Sequence, residues 1–444
     1  VTFSSHPVRF DDAGPRALSL AREVAARGTN LLIVRDILGR LSLVLDDRIS
    51  SVPADEVSAW RRRMSTELNR YAADQPVVLA SDLFMAETIL DSPRAVDEVT
   101  VVPGPGEGTI RRLDNTVVGE DWARVRDPSF GADSQVSRTA LYGFKGGVGR
   151  STATFMLAKH LVSRGHCVLV VDLDLESPGS GPMLVSEDRV PQYGLVDYLV
   201  ESALGNEDGL DLVSRASHVL PSGNGELWVA PARGRGTNTM DYSYIDKLNR
   251  VYTAAPGADF ASRLEGAVRA CEDAVARRSR TPDVVLLDSR AGLHDLAAVT
   301  VSRLCDLALL FGSDNRQTWT GYRDLFQAWQ ASGQAQAIRE KLRMVASMVP
   351  DVTTRADYLE SFRENAWSCF SVLYDDLPDG DAAGFNPSPE DDAAPHSPIP
   401  ILFTVQLVGL DAAATPGWDD LELVQAAYRT FLRTASLLIT EGRG

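Results

Sequence analysis

The stretch YGFKGGVGRST (142–152) constrains the fold more than any other part of the chain. An apolar run, TALYGF (139–144), leads into it, and a run with helical spacing, TATFMLAKHLVSRG (152–165), leads out. A strand that turns through clustered glycines straight into a helix cannot stand alone. The strand must be paired on both sides, and the helix must cover a face of the resulting sheet. The same alternation continues to the end of the chain, with strands expected at 139–144, 167–174, 226–231, 283–289, 307–313, 342–350 and 399–405. Their nearly unbroken apolar character is that of parallel strands buried on both faces. Helices such as 152–165 and 260–278 fill the intervals. The expected class is therefore α/β, a parallel sheet with helices on both faces.

Upstream, residues 1–126 read as a smaller α+β domain. A helix is expected at 14–28, two strands around a tight turn at 31–47, a helix at 53–74 and a strand at 76–84. No catalytic constellation stands out there, and WRRRM (60–64) reads as a solvated helix face. Residues 127–138 are small and polar, which suits a linker, leaving 139–444 as the second domain. Within it, the acidic, Pro/Gly-rich segment 375–398 reads as a mobile surface excursion, and 421–439 as an amphipathic core helix rather than a membrane-surface one.

Composition narrows the function classes. Hydrophobic content of 44% and charged content of 24% are those of a globular protein. No apolar run reaches the roughly 18 residues of a membrane span, and the N-terminus carries no signal-peptide pattern. Four scattered cysteines read as small buried hydrophobes of a reducing, cytoplasmic setting, and six scattered histidines show no metal-binding spacing. A net charge of −17 disfavours direct DNA binding, because phosphate recognition needs a positive face.

The chemistry concentrates at the glycine turn. Gly146, Gly147 and Gly149 let the backbone curl so that the N–H groups of residues 146–152, among them Val148, Arg150 and Thr152, converge on phosphate oxygens. Ser151 is placed to bind Mg²⁺ through its hydroxyl. The pattern departs from GxxxxGK[ST]: Phe144 stands for the leading glycine and Arg150 for the lysine, while Lys145 lies early in the loop. In a chain with four lysines and forty arginines, a lysine at this position is informative. The loop resembles the deviant Walker A motif of the MinD/ParA family of ATPases. VLVVDLDLESPG (168–179) and TPDVVLLDSRAGL (281–293) resemble that family's A′ and Walker B segments, in the same order. YGLVDYL (193–199) and GELWVAPARG (225–234) also follow its usual order, so the resemblance covers about residues 139–440.

The resemblance implies roles. Lys145 would reach across a dimer interface to the partner's phosphates, Asp174 would orient the attacking water, and Asp172 would support the loop and the magnesium shell. Asp288 would hold magnesium through water. Ser289-Arg290-Ala291-Gly292 replaces the family's usual proline-glycine pair, and Arg290 is open to three uses: reading the γ-phosphate, bridging a neighbour or contacting a partner. His294 and Asp295 read as a surface hydrogen bond more than as a proton-transfer pair. None of the lysines lies in an [NT]KxD context, which favours adenine over guanine.

The expected function is a dimeric switch that binds and hydrolyses ATP with Mg²⁺, possesses no membrane span, and controls a separate protein partner. The N-terminal domain is the candidate for recognising that partner. The alternative is an ATP-sensing scaffold with little or no hydrolysis, because a planar guanidinium at position 150 does not duplicate a compact ammonium. A tyrosine kinase with similar motifs would carry a C-terminal tyrosine cluster, and a metal-cluster reductase would carry paired cysteines; neither is present.

Overall fold

A computed structural model describes residues 8–48, 51–102, 106, 108–115, 120–125, 136–217, 223–236, 242–253, 259–350, 354–376, 384–412 and 414–441. The chain divides into two compact units, Val1–Val118 and Gly119–Gly444.

In the first unit, β1 (Leu31–Arg35) and β2 (Leu41–Leu45) form an antiparallel hairpin. Its turn is held by the Asp36 carboxylate, which accepts the N–H groups of Leu38 at 2.9 Å and Arg40 at 2.8 Å. The helix Phe10–Ala25 buries Ala13, Ala17, Leu20, Ala21 and Val24, and the helix Ala54–Leu68 buries Val57, Trp60, Met64 and Leu68. Both sets recur at helical spacing, so each helix lays one apolar stripe on the sheet. The second helix stops earlier than the expected Asp74: Asn69 has a positive φ of 51°, a single 3-10 turn spans Asn69–Tyr71, and β3 (Ala72–Leu79) follows it. Two strands with no counterpart in the sequence reading, β4 (Val96–Val102) and β5 (Gly108–Asp114), complete a sheet of order β3-β2-β1-β5-β4.

In the second unit the strands are β6 (Ser137–Gly143), β7 (Cys167–Asp172), β8 (Ser214–Arg215), β9 (Glu226–Ala230), β10 (Val284–Asp288), β11 (Leu307–Gly312), β12 (Leu342–Val349) and β13 (Ile399–Leu402). Among the described residues they form one sheet of order β13-β12-β11-β6-β10-β7-β9-β8, parallel except for the short edge strand β8. Every residue of β7, β10 and β11 is buried, and alternate side chains serve opposite faces. Cys167, Leu169 and Val171 join the core beneath the helices Phe260–Arg278 and Arg316–Ala331, whereas Val168 and Val170 join the core beneath Arg150–Ser163 and Glu422–Glu441. The α/β class with helices on both faces is thus observed.

Residues 127–135 of the expected linker lie outside the described residues, and its last two residues, Ser137 and Arg138, open β6 instead. Arg138 is fixed there by Glu272, at 2.8 Å from both Nε and NH2. Residues Glu120–Ala123 likewise belong to this unit: Trp122 is buried, and its carbonyl accepts Trp329 Nε1–H at 2.8 Å. The expected mobile excursion at 375–398 is corrected in its described part. Ala394 and His396 are buried, the Tyr374 hydroxyl and His396 Nδ1 are 2.8 Å apart, and Met344 N–H donates to Pro395 O at 3.0 Å. Residues 377–383 lie outside the described set. The four cysteines are free and buried. Among the described residues no helix is long and apolar enough to cross a membrane.

Candidate nucleotide-binding site

Three neighbouring strands of the second sheet, β6, β10 and β7, end side by side. Asp288, the last residue of β10, stands in register with Leu141 on one side and Asp172 on the other. The carboxyl edge of a parallel sheet is where ligands bind in open α/β folds. The glycine loop leaves β6 at this edge. Gly147 and Gly149 have φ of 77° and 78°, a conformation that favours glycine, and Gly149 caps the helix Arg150–Ser163. Among the described residues nothing lies within 4 Å of where a Cβ would stand at Gly146 or Gly147, so this stretch of backbone is open to a ligand. Lys145 is exposed, Ser151 and Thr152 are half-buried, and Val148 is buried, with Cγ2 3.1 Å from where a Cβ would stand at Gly143.

Phe144 occupies the position of the usual leading glycine because the neighbouring helix makes room for it. A Cβ at Gly321 would meet the Phe144 ring at 2.4 Å. The ring also lies 6.5 Å from that of Tyr322.

The carboxylates form a dense negative centre. Asp172 and Asp288 are both 0% exposed. Asp172 accepts Gly181 N–H at 2.7 Å and Asp174 N–H at 3.3 Å. Burial, reinforced by repulsion from Asp288, holds its carboxyl well above the usual range. Burial also raises Asp288, with the Arg150 charge opposing. The Ser151 and Ser180 hydroxyls lie near enough to favour the Asp288 anion, yet neither forms a hydrogen bond of good geometry. Among the described residues both Asp288 oxygens are buried without a hydrogen-bond partner. Asp174, at the surface side of the cluster, is raised by burial and lowered by Arg150.

The segment after β7 closes over this centre. A Cβ at Gly179 would stand 2.4 Å from Ser151 Oγ, so only glycine allows the approach. Arg150 is 7% exposed and donates through NH1 to Ser289 O and through NH2 to Asp174 Oδ2, the latter at 3.4 Å. Arg290 pairs with Glu176, which also accepts the Tyr252 hydroxyl at 2.9 Å. Of the three uses left open for Arg290, the structure displays the bridge to a neighbour. Tyr244 OH donates to Leu175 O at 2.5 Å, tying the same segment to the helix Tyr244–Leu248. His294 caps the helix Asp295–Val299 by accepting Leu296 N–H at 3.3 Å, and its ring meets Tyr252 edge-on. Burial and the nearby Arg290 hold that imidazole below its usual pKa. A cap against an aromatic ring is a structural role.

The structure thus brings together Ser151, Asp172, Asp174, Asp288, Arg150 and, through Glu176, Arg290. Glu176, Tyr252, Gly179 and Gly321 were missed in the sequence. Glu176 could have been found, since it continues the alternation of acidic and apolar residues Asp172, Asp174, Glu176 in the sequence.

The donor set fits a magnesium-bound phosphate. Among the described residues no group of three or more His, Cys, Asp or Glu could enclose a metal. A P-loop magnesium needs no such cage, because water and phosphate supply most of its ligands. An orphaned carboxylate at Asp288 beside the Ser151 hydroxyl is what such a shared site requires.

Residues 139–386 match the family model described as the CobQ/CobB/MinD/ParA nucleotide binding domain. No curated protein sequence matches the chain. Similar solved structures include the MinC:MinD cell division protein complex of Aquifex aeolicus (16% identity, 68% of this chain and 96% of that one, TM-score 0.39). A ParA family ATPase from Chlorobium tepidum TLS is 13% identical over 68% of this chain and 98% of that one, with a TM-score of 0.42. Cobyrinic acid a,c-diamide synthase from Mycobacterium smegmatis, with bound ADP and magnesium, is 17% identical over 69% and 96%, with a TM-score of 0.41.

Proposed function

Because the chain belongs to the CobQ/CobB/MinD/ParA nucleotide-binding family, we propose that it is an ATP-binding, slowly ATP-hydrolysing switch that dimerises around its nucleotide and thereby governs a protein partner. The observation that carries this is the open glycine loop set beside the orphaned Asp288 at the carboxyl edge of the sheet. The backbone of residues 146–152 binds the phosphates, with the positive end of the helix Arg150–Ser163 behind them. Ser151 and Asp288 hold Mg²⁺, and Asp172 supports that shell from the adjacent strand. The metal supplies neutralisation of the charge that develops on the transferred phosphoryl group. Asp174 orients water.

Lys145 is the cation offered to a second subunit, through a deviant Walker A loop. Of the four lysines, Lys159 is bound to Asp419 and Asp420, Lys247 to Asp197 and Lys341 to the Ser302 carbonyl. Lys145 alone sits in the loop, and it is exposed. Two nucleotides brought face to face concentrate negative charge, which a cation from across the interface offsets. The chain's net charge of −17 turns the choice of partner toward protein rather than DNA. The N-terminal unit is the module for that partner.

A second reading has its own support. Arg150 is engaged by Ser289 and Asp174, so the cation at the lysine position is not waiting in the loop. A scaffold that senses ATP with scarcely any turnover would share this arrangement.

Calorimetry with Mg²⁺ and either ATP or GTP tests the nucleotide; tighter GTP binding would overturn the base assignment. Sedimentation with a non-hydrolysable ATP analogue tests the dimer. Wild type should dimerise, while Lys145→Ala should bind ATP yet stay monomeric. A wild type that stays monomeric at saturation refutes the sandwich, and turnover measured on the dimer separates the switch from the scaffold.

A further inference from the structure

Arg150 follows Gly149 at the start of a helix, the position from which a P-loop side chain ordinarily faces the terminal phosphates. Its stem takes another course. Arg150 Cδ lies 3.3 Å from where a Cβ would stand at Gly143, so the side chain crosses the end of β6, and that crossing depends on Gly143 having no side chain. The guanidinium then reaches Ser289 O beyond β10 and Asp174 Oδ2 beyond β7. One buried cation thereby ties the phosphate loop to both acidic segments. A few residues away the same design recurs, with Arg290 held by Glu176 and the Tyr252 hydroxyl held by the same carboxylate. Asp174 and Glu176 lie two apart where the chain turns after β7, with Ser177 N–H donating to Asp174 O at 3.2 Å, and each takes one arginine.

We propose that Asp174 and Glu176 act as internal stand-ins for the terminal phosphate of the nucleotide, holding Arg150 and Arg290 in a closed, self-satisfied arrangement that a bound triphosphate must displace. This rests on the reading of residues 146–152 as a nucleotide-binding loop and adds a regulation of that site. A guanidinium accepts carboxylate and phosphate with the same planar fork, so the two anions compete for it directly. The consequence is a threshold. Binding a nucleotide that carries the terminal phosphate costs the two internal contacts, and releasing Asp174 from Arg150 frees that carboxylate to face water. Asp174 would therefore be withheld from the reaction until the triphosphate is in place. A diphosphate, lacking the competing group, would leave the latch closed.

Calorimetry in Mg²⁺ with a non-hydrolysable ATP analogue and with ADP tests this on the full chain. Asp174→Asn keeps the shape and removes the competing charge. It should tighten the analogue about tenfold, the ratio that corresponds to about 1.4 kcal/mol, and leave ADP nearly unchanged. In an Arg150→Lys background the gain from Asp174→Asn should largely vanish, because the ammonium cannot hold both internal acceptors as the fork does. A merely structural Asp174 would move both nucleotides together and show no such coupling. Equal analogue affinity in wild type and Asp174→Asn, or a weaker one, overturns the proposal. Should Asp174→Asn not fold, Glu176→Gln carries the test, with the same preference for the analogue expected and its absence counting against the latch. Failure of wild type to bind either nucleotide would instead refute the nucleotide-binding function itself.

Discussion

Asp288→Asn should make the protein more stable while removing its response to magnesium nucleotide. Among the described residues both Asp288 oxygens are buried without a hydrogen-bond partner, and Asp172 stands in register with Asp288 on the next strand. Leaving a buried polar group unsatisfied costs about 1–3 kcal/mol, more for a charged one. Arg150 recovers part of that through its charge. The amide removes the repulsion and can donate toward Asp172, so a net gain of about 1–2 kcal/mol is expected, which for a unit of this size corresponds to a rise of roughly 1.5–3 °C in melting temperature. The pH dependence has a definite sign. The folded state holds the Asp288 proton more tightly than the unfolded state, whose carboxyl titrates near 3.8. Wild-type stability therefore falls as pH rises from that value through the raised one, and the advantage of the variant is largest at neutral pH and shrinks toward pH 4. Calorimetric melts at pH 4.5 and 7.5 measure it. Mg²⁺ with a non-hydrolysable ATP analogue should raise the wild-type melting temperature and scarcely move the variant. A variant that melts several degrees below wild type at pH 7.5 without ligand would show that the carboxylate is satisfied, and the magnesium assignment would lose its support.

Gly321→Ala should destabilise the second unit by about 1–3 kcal/mol, because the new methyl would lie 2.4 Å from the Phe144 ring; combining it with Phe144→Leu should restore part of the loss, and additive losses in chemical denaturation would refute that contact. Burial holds the His396 imidazole below its usual pKa of 6.5, between the Tyr374 hydroxyl and Pro389 O. The unfolded chain thus takes up a proton that the folded one refuses, and stability should fall as pH drops through 6.5. His396→Gln should flatten that part of the stability profile; an unchanged slope between pH 7.5 and 5.5 would exclude the residue.

The parts of the fold that are legible in the sequence are those whose burial leaves a mark on every residue. CVLVVD and VVLLD are apolar up to their closing aspartates because both faces of β7 and β10 are covered. The strands β4 (VDEVTVV) and β5 (GTIRRLD) alternate charge with apolar residues, and nothing local separates them from loop. His396 and Ala394 vanish in the acidic segment around them because a short buried stretch has no period to detect. At the site, Ser151 and Asp288 can be located because a glycine turn and a strand end are local features. The direction of Arg150 is not local: its acceptor Ser289 lies 139 residues away, and only the adjacency of β6 and β10 brings them together. The pairing of Arg290 with Glu176 has the same origin.

The helix Glu422–Glu441 lies against the helix that begins at the phosphate loop, with Tyr428, Phe431 and Ala435 in the same core as Phe155, Leu161 and Val162. Just before it, the Trp418 ring lies tilted 4.9 Å from that of Phe155, and Asp420 binds Lys159 at 2.7 Å. This places an order in time on the site. A ribosome that has finished Arg150 must add some 270 more residues before these supports exist, which at about 5–20 residues per second takes on the order of tens of seconds. Through that interval the back of the phosphate-loop helix presents bare apolar surface, and the loop in front of it has no firm base. A chain cut short before Trp418 would keep that apolar surface uncovered and should be a client for chaperones.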